Sequence, residues 1–321
     1  MRVAATVVNY RTPGLATKAV TSLLAQLRLL GSHQLYLVDN ASGDDSLEHF
    51  RRASERDGWG NSVTVVASEH NGGYGYGINL ALRRAQAQAE PPDYLYVLNS
   101  DALVDEGTLL RLVDFMDGDP RVGIAGSRIH GPDGATQVTA FRFPSVLGEL
   151  EQAARLGLAT RLLHRHRIPM PEPATSCEVD WISGTSMLIR RQVFEQIGPF
   201  DEGFFLYFEE TDFCRSARQA GWKVCYVAEA PVTHLGSVST GLADPSRRMP
   251  RYWFDSRHRY LLKHHGRAYT AVCDGVFVVG SVLWRIKQRL LCRDGKDRPH
   301  MIQDMLASSV RDLAGWRSRV S

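Results

Sequence analysis

Residues 94–101 of the chain, YLYVLNSD, are five apolar residues followed by Asn99, Ser100 and Asp101. A short apolar run bounded by turn-forming residues is typical of a strand buried on both faces of a sheet. Ligands of open α/β sheets bind outside the carboxyl ends of the strands. This stretch therefore predicts a central strand and, directly after it, a site that contains the three polar residues.

The residues before this strand repeat the pattern. Three more β-rich runs, at residues 3–9, 35–39 and 63–67, alternate with stretches of helical apolar spacing such as 13–30 and 77–87. This alternation predicts the α/β class, with a single Rossmann-like, mostly parallel sheet flanked by helices. Asn9 and Asp39 end the first two runs, so we expect both at the same sheet edge as Asp101.

The second half of the chain is less regular. We predict a strand at 121–129, a partly helical insertion at 144–175 and two short apolar strands within 178–189, hinged at Ser183 and Gly184. A short strand at 224–227 is expected to precede His234, and the pattern beyond Gly241 is helical. These elements predict one main domain followed by a helical C-terminal extension.

Composition and charge exclude some function classes. The chain has 321 residues, 44% of them hydrophobic and 23% charged, which is typical of a globular protein. A net charge of +3 is too small to predict nucleic-acid binding. The N-terminus lacks the pattern of a signal peptide, and five cysteines without metal-site spacing predict reduced thiols in the cytosol.

Basic residues follow an apolar stretch near the C-terminus. Residues 271–284 are too few for a spanning helix and contain Asp274, so we expect no transmembrane helix. The basic residues that follow fit an amphipathic surface on an anionic membrane, or equally a solvated helical face. They are Arg285, Lys287, Arg289, Arg293, Lys296 and Arg298.

Two segments of the first half are candidates for a nucleotide-binding site. A carboxylate directly after a buried strand, such as Asp101, suits Mg²⁺ or Mn²⁺, although a plain turn cap explains it too. The glycine cluster between Asn71 and Asn79 has the wrong spacing for a dinucleotide-binding turn. It predicts either a loop whose backbone approaches a nucleotide or a purely structural turn.

The segment 198–215, GPFDEGFFLYFEETDFCR, combines aromatic residues with five carboxylates. Acids favour helix N-termini, so capping explains any single one, but five exceed what capping needs. A carboxylate partly desolvated by aromatic neighbours acquires a pKa suited to accepting a proton. Downstream, His234 is either a structural histidine or a metal ligand, and an imidazole ligand would favour Mn²⁺ over Mg²⁺.

These motifs, in this order, resemble the family 2 inverting glycosyltransferases of the GT-A fold, particularly bacterial rhamnosyltransferase-like members. The resemblance spans about residues 3–266. Its parts are VVNY (7–10), LYLVDNASGD (35–44), NGGYGYGIN (71–79), YLYVLNSDA (94–102), VDWISGTSMLIRR (179–191), IGPFDEGFFLYFEETDFCRSARQAGW (197–222) and VTHLGSVS (232–239).

The resemblance implies a role for each candidate residue. Asp101 corresponds to the metal-binding acid of a DxD-type motif whose first acid is Asn99 here, so metal binding depends more heavily on Asp101 and His234. The family usually has a Glu-Asp pair where this chain has Glu209 and Glu210, which makes Glu210 the expected catalytic base and Glu209 its rival. The implied donor contacts are Asn9, Asp39, Asn71, Asn79, Asn99 and Asp101, and the implied sugar and acceptor contacts are Trp181, Ser183, Gly184 and Asp212.

The implied activity is metal-dependent, inverting transfer of a sugar from a nucleotide-diphosphate sugar, with dTDP-rhamnose favoured. The acceptor would be a hydroxyl of a glycan or lipid-linked acceptor in cell-surface polysaccharide synthesis. The alternatives are a UDP-hexose donor or a non-catalytic sugar-nucleotide-binding component of an assembly complex.

The resemblance also implies a domain plan and a location. The GT-A catalytic domain would span residues 1–245, with a nucleotide-binding half at about 1–130 and an acceptor and catalytic half at about 131–245. The helical extension at 246–321 would contact a membrane or a second copy in a homodimer. We expect a cytoplasmic protein, peripheral on the inner face of the membrane.

Overall fold

The computed structural model describes residues 2–155, 157–236, 244, 246–292 and 297–317. The predicted boundary at 245 and residues 237–239, 293 and 296 lie outside this range. The chain divides into two compact units, and each is described by itself. Unit 1 is Met1–Phe141, Met170–Phe205 and Glu209–Thr240, and unit 2 is Arg142–Pro169, Leu206–Phe208 and Gly241–Ser321.

Unit 1 is built around one large sheet. Its first strands are β1 (Arg2–Asn9), β2 (Ser32–Asp39), β3 (Val63–Ala67), β4 (Tyr94–Asn99), β5 (Ala102–Val104) and β6 (Val122–His130). The later strands are β7 (Ala140–Phe141), β8 (Cys177–Glu178), β9 (Trp181–Ile182), β10 (Ser186–Arg190) and β11 (Lys223–His234). Within the described residues, nine strands form this sheet, and β7 pairs with β9 alone.

The order of the sheet is β3-β2-β1-β4-β10-β6-β11-β5, with β8 beside β11. The pairs among β3, β2, β1 and β4 are parallel, as is β6 with β11, whereas β10 and β5 run antiparallel to their neighbours. The register places Asn9 opposite Asp39 and Val8 opposite Asn99. The mostly parallel α/β sheet is therefore as predicted, and its strand ends gather the polar residues at one edge.

Helices cover both faces of this sheet. They are α1 (Pro13–Leu27), α2 (Ser46–Asp57), α3 (Tyr74–Gln86), α4 (Thr108–Gly118), α7 (Arg191–Ile197) and α8 (Glu209–Gln219). Alternate residues of β1 enter different cores: Val3, Ala5 and Val7 pack with α1, α2 and α4, and Ala4 and Val8 pack with α3 and α8. Burial on both faces explains why these strands are continuous apolar runs.

Two predicted bounds differ from the structure in ways that affect the site. Helix α3 begins at Tyr74 rather than at residue 77, because the backbone turns at Gly73, where φ is 94°. Strand β11 continues to His234 through an irregularity between Val227 and Pro231. His234 is therefore the last residue of a strand, and strand pairing fixes its position.

Unit 2 is helical. Its helices are α5 (Val146–Ala154), α6 (Gly157–Leu162), α9 (Arg251–Leu290) and α10 (Met301–Arg317). Helix α9 changes direction at Gly266, where φ is 75°. The inner side of α9 packs closely on α5. The absence of a side chain at Gly280 permits this, since a Cβ there would lie only 2.9 Å from the Cβ of Ala153. The insertion of the sequence prediction thus packs with the C-terminal helices.

A buried ionic cluster joins α5 and α9. Arg257 pairs with Glu149 at 3.0 Å and with Asp274 at 2.6 Å, and Asp274 also lies 2.8 Å from His258. Asp274 therefore faces the inside of unit 2 and does not break the apolar outer face of α9.

Among the described residues, α9 alone is long and apolar enough to cross a membrane by length and composition. Its best window has a mean hydropathy of 1.3 and is 28% buried. Core helices of soluble proteins meet the same criterion, so this is weak support for a spanning segment.

Candidate active site

The edge of the sheet brings Asp101 beside His234. Strand β5 pairs antiparallel with β11, which sets Ala102 opposite His234, and the Leu235 amide donates to the Asp101 carbonyl at 2.9 Å. As a result, His234 Nε2 lies 3.2 Å from Asp101 Oδ1, although the two residues are 133 positions apart. The carboxyl group of Asp101 is buried.

Gln137 fixes the orientation of the His234 ring. Its Nε2 donates to the His234 carbonyl at 3.1 Å, so its Oε1 must be the atom that faces His234 Nδ1 at 2.8 Å. An amide oxygen only accepts, and Nδ1 therefore carries the proton of the neutral ring. Nε2 therefore faces the Asp101 carboxylate, and in the neutral ring it presents its lone pair there.

This arrangement suits a cation. Two acceptor atoms 3.2 Å apart repel each other unless a proton or a metal cation lies between them. Two ligands at about 2.1 Å from one octahedral ion are separated by about 3 Å, which is close to the observed spacing. No three His, Cys, Asp or Glu side chains converge anywhere in the described part of the chain, so a metal here would need further ligands from a bound molecule.

Asn99 and Ser100 support the same edge from the side. The backbone amide of Asn99 donates to the Thr185 carbonyl at 2.9 Å, and its side chain reaches the Thr185 hydroxyl at 3.4 Å. The Ser100 hydroxyl lies 3.3 Å from that of Thr12. These contacts tie the end of β4 and the residue after it to the residue directly before β10 and to the start of α1.

The side chains of Asn9 and Asp39 are hydrogen-bonded to each other. The Asn9 amide donates to Asp39 Oδ1 at 2.8 Å, and its oxygen accepts from the Thr12 amide at 3.1 Å. Asn9 is fully buried. It therefore clamps the ends of β1 and β2, and Asp39, which also accepts from Ser42, is held in one orientation.

Asn71 belongs to a second polar group at the end of β2. Its Oδ1 accepts from Asn40 Nδ2 at 3.0 Å and from the Gly73 amide at 3.0 Å. Asn40 also donates to the Gly73 carbonyl at 2.9 Å, and its own Oδ1 is buried without a hydrogen-bond partner. Asn40 was not among the predicted residues, yet it links the end of β2 to the glycine cluster.

Asn79 lies in a different environment from the other predicted donor contacts. Its amide group exchanges hydrogen bonds with the backbone of Phe200, at 2.8 and 3.0 Å, and donates to Glu202 at 2.9 Å. Both polar atoms are thus engaged within the protein, and the side chain is fully buried. The structure therefore does not bring Asn79 together with Asp39 or Asp101.

The glycines of the cluster permit close packing within the protein. A Cβ on Gly73 would lie 2.0 Å from the Phe205 carbonyl oxygen, and a Cβ on Gly77 would lie 2.6 Å from Val8. The amide of Tyr74 donates to that same Phe205 carbonyl at 2.9 Å. These contacts set the position and direction of the first turn of α3.

Two adjacent acids open α8 in buried surroundings. Glu209 and Glu210 each have an Oε2 that is buried without a hydrogen-bond partner. Burial raises the pKa of Glu209 well above its usual value, and the neighbouring Glu210 charge adds to this rise. Burial also raises the pKa of Glu210 to about 7, against the opposing effect of backbone amides that include that of Gly184. A carboxyl group with such a pKa can accept a proton near neutral pH.

Tyr74 lies near both acidic groups of the site. Its hydroxyl donates to the Gly184 carbonyl at 3.2 Å. Burial raises its pKa well above 10, and the charges of Glu209, Glu210 and Asp101 raise it further. Tyr74 therefore remains protonated, and it connects the sheet edge with the start of α8.

The remaining predicted residues lie at or near the start of α8 and in the segment before β10. Gly184 is part of the site, because a Cβ on it would lie 3.7 Å from the Cβ of Glu210. The Ser183 hydroxyl lies 2.9 Å from that of Thr185, and Trp181 stacks on Phe141 at 4.0 Å. Asp212 is buried within α8. Of the other two acids of this segment, Asp201 stabilises a turn through the Gly203 amide, and Glu202 pairs with Arg83.

Sequence reasoning missed Gln137, Tyr74, Asn40 and Thr185. Each of these residues forms its hydrogen bond in the site with a partner 31 to 110 positions away in the sequence, so local sequence patterns do not reveal it. The polar Asn40 directly after Asp39 was the one readable signal, since it too follows a predicted strand.

Comparison with known proteins gives a family match. The family model described as glycosyltransferase like family 2 matches residues 1–254. An N-acetylglucosaminyl-diphospho-decaprenol L-rhamnosyltransferase of Mycobacterium tuberculosis is 30% identical over 263 residues, 78% of each chain. A rhamnosyltransferase of Escherichia coli, WbbL, is 25% identical over 166 residues, 50% of this chain and 60% of the relative.

Solved structures share the fold. The Pyrobaculum calidifontis mannosyltransferase PcManGT, solved with GDP-Man and Mn²⁺, superposes with a TM-score of 0.55 at 15% identity, over 97% of this chain and 87% of that one. GalNAc-T7 with UDP, GalNAc and Mn²⁺ gives 0.54 at 15% identity, over 73% and 44%. These likenesses confirm the predicted GT-A fold.

Proposed function

The chain belongs to glycosyltransferase family 2 and is a glycosyltransferase, and we propose that it uses Glu210 and a divalent cation for inverting transfer from a nucleotide-diphosphate sugar. One observation carries this function: two adjacent acids, each with a buried oxygen that has no partner, and the Asp101–His234 pair both lie near Tyr74. A base and a diphosphate-binding group within one site suit an in-line displacement at the anomeric carbon.

Glu210 is the proposed base. Its Oε2 is free of protein partners, and its pKa of about 7 allows the carboxylate to take the proton of an acceptor hydroxyl as that oxygen attacks. The new glycosidic bond forms as the bond to the diphosphate breaks, so the anomeric configuration inverts. Glu209 keeps its proton to higher pH, because burial and the Glu210 charge both oppose its ionisation.

Asp101 and His234 are the proposed protein ligands of Mn²⁺ or Mg²⁺. Gln137 holds the His234 ring with its Nε2 lone pair toward Asp101, and diphosphate oxygens would complete the coordination. When bound, the cation would offset the negative charge that grows on the departing diphosphate. The Mn²⁺ in the two solved neighbours supports this assignment.

Asp39 and Asn71 are the proposed donor contacts at the far end of the nucleotide, with Asn40 holding Asn71 in place. Asn9 fixes Asp39, and Asn99 fixes the loop that carries Asp101. Trp181, Ser183 and Gly184 are the proposed wall of the sugar and acceptor site, with Asp212 behind them in α8.

We propose dTDP-rhamnose as the donor, because both bacterial relatives are named as rhamnosyltransferases. The name of the mycobacterial relative supports N-acetylglucosaminyl-diphospho-polyprenol as the class of acceptor. Such an acceptor would place the enzyme on the inner face of the cytoplasmic membrane, in the synthesis of a cell-surface polysaccharide.

A donor panel tests this proposal. Thermal unfolding is measured with dTDP-rhamnose, UDP-glucose, UDP-galactose and UDP-N-acetylglucosamine, each with and without Mn²⁺, and turnover is then measured with N-acetylglucosaminyl-diphospho-polyprenol. We expect the largest Mn²⁺-dependent stabilisation and turnover with dTDP-rhamnose. Preference for a UDP-hexose would overturn the donor assignment, and tight binding without turnover of any donor would overturn the transferase proposal.

Asp101→Asn is the matching variant for the metal. It keeps the shape of the side chain but removes its charge, so the stabilisation by donor should lose its dependence on Mn²⁺. Asp114→Asn, at a position on α4 outside the site, serves as control. An unchanged Mn²⁺ dependence in Asp101→Asn would contradict the metal assignment.

A further inference from the structure

The two units carry opposite charge. Unit 1 has 17 basic and 26 acidic residues, a net charge of −9, whereas unit 2 has 21 basic and 9 acidic residues, a net charge of +12. The modest +3 of the whole chain conceals this difference. A unit of this size with such a charge attracts anionic partners.

Unit 2 also has an apolar outer face. Six large apolar side chains of α9 point outward and are exposed: Val272, Val279, Val282, Leu283, Ile286 and Leu290. Their spacing of three, four and seven residues places them on one side of the helix. We call this set the α9 apolar face, and it extends about 27 Å along the helix.

The exposed charges that α9 itself carries beside the α9 apolar face are basic. Between residues 267 and 290 the only acidic residue in the sequence is Asp274, and it is turned inward, where it lies 2.6 Å from Arg257 and 2.8 Å from His258. Arg267 precedes the face, and Arg285 and Arg289 are exposed at its far end. Arg285 lies 3.7 Å from Asp297, so part of its charge is locally offset.

From these observations we propose that the α9 apolar face lies on an anionic phospholipid surface, with its apolar side chains among the acyl chains and its arginines at the headgroups. Apolar side chains flanked by cations match the boundary between acyl chains and anionic headgroups. A second copy is a poorer occupant, because two surfaces of +12 units would face each other. Nucleic acid would leave the apolar side chains without a partner.

This contact goes beyond the proposed transfer reaction and is measured without any sugar substrate, so the two proposals fail independently. The purified full-length chain is sedimented with vesicles of neutral phosphatidylcholine, and with vesicles that contain about 30% phosphatidylglycerol. We expect binding at least about tenfold tighter to the anionic vesicles, and weaker binding as salt rises from about 0.05 to 0.5 M.

Two variants separate the apolar and ionic contributions. In the double variant Val279→Glu with Leu283→Glu, side chains that are 54% and 41% exposed become charged, and vesicle binding should fall at least about tenfold. Arg289→Glu should weaken binding to anionic vesicles only. Leu110→Glu, at a 46% exposed position on α4 of unit 1, is the matched control and should bind as the wild type does.

Thermal unfolding of each variant checks that the chain is folded. Equal binding of the wild type to neutral and anionic vesicles would overturn the proposal, as would undiminished binding of the double variant. A stable dimer in sedimentation velocity that Val279→Glu dissociates would assign the face to a second copy instead. Tighter binding to an oligonucleotide than to anionic vesicles would also overturn it.

Discussion

Glu209 and Glu210 differ from the exposed acids of the chain in the cost of their ionisation. Glu209 is buried and Glu210 partly buried in the first turn of α8, and each has one buried oxygen without a partner. An unpaired buried carboxylate is expensive, so the pKa of each group rises, and both are poised to hold or accept a proton. A carboxylic acid that served only as a helix cap would instead be ionised and hydrogen-bonded.

At the same scale, Gln137 should control metal affinity. Gln137→Ala frees the His234 ring and allows either tautomer, so affinity for Mn²⁺ in the presence of nucleotide diphosphate should fall by about 10- to 100-fold. Isothermal titration measures it directly. Gln88→Ala, which removes an amide bound to the Tyr36 hydroxyl, is the matched control. Unchanged Mn²⁺ affinity in Gln137→Ala would show that His234 is oriented by other means.

Some residues of the candidate site could be predicted from the sequence, and others could not. Asp101 and His234 could be predicted because each follows or ends an apolar strand run within a known order of motifs. Gln137 could not, since its function depends on the β5–β11 pairing that brings His234 next to it. Asn79 has the residue type of a ligand contact, but the backbone of Phe200, 121 positions away, takes up its amide.

Among the elements, the turn into α3 depends on Gly73. Gly73→Ala would force a side chain into a φ of 94° and within 2.0 Å of the Phe205 carbonyl, so it should destabilise the fold by more than about 1 kcal/mol. Gly14→Ala in α1, where a Cβ meets no atom within 4 Å, should be neutral or slightly stabilising. Thermal unfolding compares the two, and equal melting temperatures would contradict this account of the turn.

The start of α8 should make stability depend on pH. The folded-state pKa of Glu209 lies above its reference value of 4.5, so its contribution to stability is present below that value and lost as pH rises. Glu209→Gln removes this loss, and its melting temperature should exceed that of the wild type at pH 8, by about 2–4 °C per kcal/mol recovered. The difference should shrink toward pH 5. A variant less stable than the wild type at pH 8 would contradict the buried acid.

Elements were the most predictable level of the structure. The strands at 63–67 and 94–99 and the helix that opens at Glu209 follow from apolar runs and acid placement. The length of β11 was underestimated, because Glu229 and Pro231 interrupt the apolar pattern while strand pairing continues through an irregularity to His234. Long-range pairing, rather than local preference, decides that strand.

For the whole molecule, the sequence showed the basic residues near the C-terminus but not which other residues share a compact unit with them. Net charge predicted an ordinary surface, because the −9 of unit 1 and the +12 of unit 2 nearly cancel. The full +12 became visible only when residues 142–169, which add +3, were seen to pack with the C-terminal helices. The predicted homodimer stays a prediction, which the sedimentation experiment addresses.

Catalysis by Glu210 is the central claim, and the pH dependence of turnover tests it most directly. Transfer from dTDP-rhamnose, or from whichever donor the panel selects, is measured between pH 5.5 and 9 with Mn²⁺, for the wild type, Glu210→Gln and Glu209→Gln. Because Glu210 must lose its proton to act, the wild-type rate should rise with pH and level off above about 7. Glu210→Gln should lose about 10²- to 10⁴-fold in kcat at every pH while it keeps its affinity for nucleotide, and Glu209→Gln should lose far less. A near wild-type rate in Glu210→Gln would contradict the account.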